Sequence, residues 1–100
     1  MSFIRGTTIQ KRYNTDIDLR SASRIIITFT QDAQIILEKE LDSMVVDEKF
    51  LDLSLTPEET FKFTTRYPIK MQIYVIIGEA RLASNVMITS VEELLRREIV

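Results

Sequence analysis

The chain has 100 residues, 45% hydrophobic and 28% charged, with a formal net charge of −2. That is the profile of one globular domain over 1–100; it excludes a disordered chain and gives no basic stripe for nucleic acid. Cysteine is absent, as is histidine, which removes a disulfide framework, thiolate metal sites and thiol nucleophiles.

Residues 1–13, MSFIRGTTIQKRY, read as a first strand with Gly6 as a bulge or bend, and 14–23 as a polar connection. RIIITFTQ (24–31) places Ile25, Ile27 and Phe29 on one face and Thr28 and Thr30 on the other; after the polar break QDAQ it pairs with QIILEKE (34–40) as a hairpin. A second hairpin is expected over 44–56, with Asp47, Glu48 and Lys49 at its tip and Leu51, Leu53 and Leu55 inward.

LTPEETFKF (55–63) interrupts the strands. Thr56 as N-cap, Pro57 at the first helical position and Glu59 three residues after the cap make a capping box. The segment predicts one helical turn crossing between sheets, with Phe61 or Phe63 plugging the core edge. The longest hairpin follows over 68–90, and Gly78-Glu79 suits a two-residue type II′ turn. Ile69, Met71, Ile73, Val75 and Ile77 would then share the apolar face with Leu82, Val86 and Ile88; Lys70, Gln72, Tyr74, Arg81, Asn85 and Thr89 take the other.

The last stretch, SVEELLRREIV (90–100), switches period. Ser90 and Glu93 make a second capping box, Glu92–Arg96 and Glu93–Arg97 are helical ion pairs, and Val91, Leu94, Leu95 and Ile99 form one apolar stripe. About eight helical residues do not hold alone in water. The stripe is therefore expected to dock on the protein's own open end or on a neighbouring chain, which makes these four the candidate partner-binding residues. The fold class that results is all-β: an antiparallel, immunoglobulin-like β-sandwich of six or seven strands, with one helical turn near 56–61 and a short C-terminal helix.

Charge is unevenly placed. Residues 38–60 hold eight acids against Lys39 and Lys49, whereas Arg5, Lys11, Arg12, Arg20 and Arg24 face only Asp16 and Asp18 over 1–24. Such opposite stretches attract across a fold or between subunits, or form a solvated acidic face. The apolar runs fall far short of the roughly 20 residues of a membrane span. MSFIRGTTIQ also lacks the features of a signal peptide, so neither membrane nor secretory export is expected.

Reactive chemistry is sparse. Asp16 and Asp18 read as a turn-forming loop rather than a calcium loop, since no acid follows at ligand spacing. Glu58 with Glu59, and Glu92 with Glu93, read as first-turn carboxylates of capped helices rather than acid–base pairs. The hydroxyl residues have no histidine base and no G-x-S-x-G elbow, and no glycine-rich loop is present for phosphate. No enzyme, metal or cofactor is expected. Arg66-Tyr67 and the Phe3, Arg5, Tyr13 group either grip a sugar or an aromatic ligand, or serve the core and its rim. Tyr13, Tyr67 and Tyr74 are thus the ligand residues of an alternative reading, a carbohydrate-binding module for cell-surface glycans.

The order of these elements, with LTPEETFKF at Leu55–Phe63 and LASN at Leu82–Asn85, resembles small proteins encoded in prophages of Gram-positive bacteria. The resemblance spans nearly the whole chain and rests on structural motifs, with no catalytic residues to carry over; the Gly78-Glu79 turn is shorter than the family pattern. It implies a protein from the tail and baseplate gene region, similar in fold to the N-terminal domains of baseplate upper proteins. A virion component that binds other phage structural proteins, or a second copy of itself, is the corresponding expectation.

Overall fold

The computed structural model describes residues 2–40 and 44–94. The chain is mostly β. Its strands are β1 Ser2–Ile4, β2 Ile9–Asn14, β3 Arg24–Gln31, β4 Gln34–Glu40, β5 Val45–Val46, β6 Phe50–Leu55, β7 Ile69–Ile77, β8 Ala80–Ala83 and β9 Met87–Glu92, with one helix, α1, at Pro57–Phe61. They form a six-stranded sheet ordered β1-β9-β7-β3-β4, with β8 also on β7, and a three-stranded sheet ordered β2-β6-β5. Neither sheet is closed.

The alternation along β3, β6 and β7 sorts side chains as expected. Ile25, Ile27 and Phe29 join Leu51, Leu53, Leu55, Ile69, Met71 and Val75 in one buried cluster drawn from both sheets. Phe63, not Phe61, plugs the core: its ring lies 6.4 Å from Phe3 and 5.8 Å from Phe29, while Phe61 is exposed under the Arg5 guanidinium. The capping box ahead of α1 is formed, with Thr56 N–H donating to Glu59 Oε1 at 2.9 Å and Glu59 N–H to Thr56 Oγ1 at 3.2 Å. Thr60 is fully buried and donates to the Thr7 carbonyl at 2.8 Å, fastening the helix to the first turn.

The first thirteen residues are two strands, not one. Gly6, at φ 77°, turns the chain so that β1 joins the large sheet and β2 the small one. A positive φ carries no Cβ penalty at glycine, which is why the corner falls there. Within the polar connection, Asp18 caps a 3₁₀ turn at Leu19–Ser21, and Leu19 is buried. The charge asymmetry resolves within the chain: Arg12 pairs with Asp52, Arg20 with Glu48 and Arg24 with Glu40 at 2.8–3.2 Å. All three are exposed pairs, screened by water and salt.

The long hairpin keeps its two-residue turn, with Ile77 opposite Ala80 and Gly78 at φ 58°. It does not keep one register. β8 pairs Val75 with Leu82, but after Ser84 the ladder slips by one residue, so that β9 pairs Ile69 with Thr89 and Lys70 with Ile88. Ser84 makes the break: its Oγ accepts the Ile73 N–H at 2.9 Å and its own N–H donates to the Ile73 carbonyl at 2.9 Å. A one-residue slip reverses every later side chain. Thr89 therefore takes the inner face, and Val86 and Ile88, expected in the core, are exposed.

The same strand corrects the start of the expected C-terminal helix, at 90–94; the rest of that stretch, 95–100, lies outside the described residues. Ser90, Val91 and Glu92 lie in β9, paired in parallel with Ser2, Phe3 and Ile4. This pairing makes the large sheet mixed rather than wholly antiparallel. Glu93, expected to close a capping box, instead meets Arg5 Nη1 at 3.0 Å. The physical reason is competition: a short isolated helix is unstable, whereas β1 offers a backbone ladder, continued by Arg5 N–H to the Glu92 carbonyl at 2.9 Å, and a core position for Val91. Leu95 and Ile99 lie outside the described residues.

Both long outer strands carry a lysine in the inward-facing register. Lys39 of β4 stands opposite Ile27, and Lys11 of β2 opposite Leu53. Lys39 Nζ reaches Glu59 at 2.8 and 3.1 Å beneath the sheet. Burial alone would raise the Glu59 carboxyl, but Lys39 and the Thr56 amide outweigh it and hold the group below the ordinary glutamate value. Inward charge on an outer strand discourages edge-to-edge pairing, because a docking strand would have to bury it.

Candidate functional site

The residues singled out from the sequence are scattered. Val91 is 8% exposed and packs within the core, so it is closed to a partner. Leu94 is half-buried at the end of the described chain. Tyr13 faces inward from β2, opposite Leu51, and its hydroxyl donates to Met71 Sδ at 3.6 Å. Tyr74 stands on the outer face of the large sheet, opposite Ile26, where its hydroxyl accepts from Arg81 at 3.1 Å. Tyr67 is exposed in the loop before β7. The three tyrosines do not share one flat aromatic face.

The carboxylates considered for chemistry hold the fold together. Asp18 accepts from Arg20, through both backbone and side chain, and its carboxyl is held below the ordinary aspartate value by that side-chain hydrogen bond first. Glu59 caps α1 and binds Lys39; Glu93 binds Arg5. Arg5 also donates to the Phe63 carbonyl at 2.6 Å and the Phe61 carbonyl at 3.1 Å, so it serves the rim of the core. Among the described residues, no group of three or more acids is placed to hold a metal ion.

What the structure does bring together is an apolar cleft, near a stretch of chain with three exposed aliphatic side chains. Leu82 of β8, Val86 of the link and Ile88 of β9 are 37%, 52% and 66% exposed; Leu82, opposite Val75, lies on the inner face of the sheet and Ile88, opposite Lys70, on the outer. Next to Leu82, the two sheets part to leave a cleft of about 190 Å³ walled by Tyr13, Leu51, Ile73, Val75 and Leu82, with Ile17 and Leu19 contributed by the connection after β2. Its polar lining comes from Asn14, Thr15 and Ser84. Burial in this wall pushes the Tyr13 hydroxyl up to about 12. Sequence reasoning missed the site because it depends on the meeting of segments some sixty residues apart; the apolar Ile17 and Leu19 within a polar connection were the available signal.

No protein-family model matches the chain, and no curated protein or solved structure matches it. Among the described residues, no helix is long and apolar enough to cross a membrane.

Proposed function

We propose that this chain is a non-enzymatic structural or adaptor protein of a phage particle, working by protein–protein contact in the tail or baseplate. The observation that carries the reading is the exposure of Leu82, Val86 and Ile88 within seven residues of chain. Water exposure of three large aliphatic side chains along one short segment costs free energy that a partner surface recovers. The long outer strands, with their inward lysines, are poor docking edges, which favours contact through these exposed side chains instead. The phage setting comes from the resemblance of Leu55–Phe63 and Leu82–Asn85 to prophage-encoded tail-region proteins. The partners are then other virion proteins or a second copy of this chain.

The finer fold reading, an immunoglobulin-like sandwich, belongs with this proposal. One buried cluster shared by two sheets supports it, and the parallel β1–β9 pairing is a departure from the simplest form. The test is mass spectrometry of purified phage particles whose genome encodes the chain, followed by photo-crosslinking from position 88. The chain is expected among the particle proteins, with an adduct to a second protein or a second copy. Particles lacking it overturn the reading.

A further inference from the structure

We infer that the cleft between Tyr13 and Leu82 receives one large apolar side chain of a partner protein, carried on a basic segment. This rests on the contact reading above and names the chemistry of the partner.

Size sets the first limit. A cleft of about 190 Å³ is of the order that holds one benzene-sized group, an apolar void near 150 Å³ being enough for that. It takes a phenyl or branched aliphatic side chain and is too small for a helix face. Chemistry sets the second. No charged side chain lines the cleft, and two of its polar side chains are engaged within the fold: Ser84 with Ile73 and Asn85, and Thr15 Oγ1 with the Ile17 N–H at 3.1 Å. Water there finds few partners, so an apolar occupant displaces it favourably.

Charge sets the third. Thr15 also lines an adjoining hollow formed with Asp16, Asp18, Glu48 and Lys49. Arg20 bridges Asp18 and Glu48 at 3.0 and 3.2 Å, and Asp47 Oδ1 accepts the Glu48 N–H. Four acids, Asp16, Asp18, Asp47 and Glu48, thus face two bases, Arg20 and Lys49, leaving an excess of two negative charges beside the cleft. A segment with lysine or arginine next to its apolar anchor is attracted there, and salt weakens that attraction.

The experiment is an amide-resolved NMR titration of the full chain with three blocked tripeptides, Lys-Phe-Lys, Lys-Ala-Lys and Glu-Phe-Glu. Lys-Phe-Lys is expected to shift Thr15, Leu82, Ala83 and Ser84 saturably. Lys-Ala-Lys should bind about tenfold or more weakly, the scale of burying one phenyl group. Glu-Phe-Glu should also bind more weakly, by a margin that closes as salt is raised. The variant Leu82→Glu should abolish the preference for phenylalanine; the comparison on the unaltered protein decides even where that variant fails to fold. Equal response to Lys-Phe-Lys and Lys-Ala-Lys, or shifts confined to other regions, overturns the anchor pocket. Equal response to Glu-Phe-Glu overturns the basic segment. Either failure leaves the contact reading itself to the particle test, which does not involve the cleft.

Discussion

Gln31 and Thr64 meet like partners in a ladder although one is a side chain. The Gln31 amide, 3% exposed at the end of β3, donates to the Thr64 carbonyl at 2.7 Å and accepts the Thr64 N–H at 2.9 Å. The same Nε2 donates to the Tyr67 carbonyl at 2.8 Å. One buried amide therefore satisfies three backbone groups of the loop between α1 and β7, a loop too short of regular structure to satisfy them itself.

Replacing that amide leaves these groups without partners, and an unmade buried hydrogen bond costs more than a made one contributes. Gln31→Ala is expected to lower stability by about 2–4 kcal/mol, taking the three groups together and allowing for some rehydration. Urea denaturation checks this, and a loss below about 0.5 kcal/mol would show that water replaces the amide freely.

The end of the described chain gives a paired prediction. Val91 is buried against the core and Ile88, three residues earlier, is exposed. Val91→Ala should cost about 2 kcal/mol, from lost burial plus the void left behind. Ile88→Ala should stay within about 0.5 kcal/mol, as surface changes do. A helical stripe through Val91 would not place these two residues at opposite extremes of burial, so similar losses in chemical denaturation would count against the β9 register.

The tip of the β3–β4 hairpin stores a local cost. Asp32 and Ala33 both have positive φ, 51° and 62°, as a two-residue type I′ turn requires, and alanine is a poor choice there. The left-handed conformation costs an L-residue about 1–2 kcal/mol, partly offset by the extra unfolded freedom of glycine, about 0.5–1 kcal/mol. Ala33→Gly is thus expected to stabilise the protein by about 0.5–1 kcal/mol, seen as a melting temperature a few degrees higher.

Tyr13 supplies the pH dependence. Burial raises its hydroxyl from 10.0 to about 12 in the folded chain. The unfolded chain loses that proton first, so the contribution is complete below about pH 10 and is lost as pH rises toward 12. Solvent at the open cleft reduces its size. Denaturation midpoints across this window should fall less steeply for Tyr13→Phe than for the unaltered protein; parallel curves would mean the ring is wetter than its position beside Leu51 and Met71 implies.

Much of this fold is legible in the residues because it is local. Thr56 and Glu59 cap α1, glycine at 78 turns the hairpin, and the alternations Ile25–Phe29 and Leu51–Leu55 face the core. Each signal involves groups a few residues apart whose geometry the backbone period dictates. The candidate site is far less legible. Of the residues chosen from sequence, Tyr13 alone lines the cleft, and it was chosen for another ligand.

The sequence by itself determined that this is a mostly β chain with an interrupting capped turn, because apolar period and capping chemistry act within single elements. Tertiary structure decided which way the last strands face. The helical pattern of 90–100 and the apolar pattern of 82–88 were both sound locally. A ladder offered by β1 took residues 90–92 from the expected helix, and one serine, Ser84, bonding to Ile73, slipped the register by one residue. Strand partners sixty or more residues away supply hydrogen bonds that no local pattern encodes, and a single-residue slip is enough to turn core residues into surface ones.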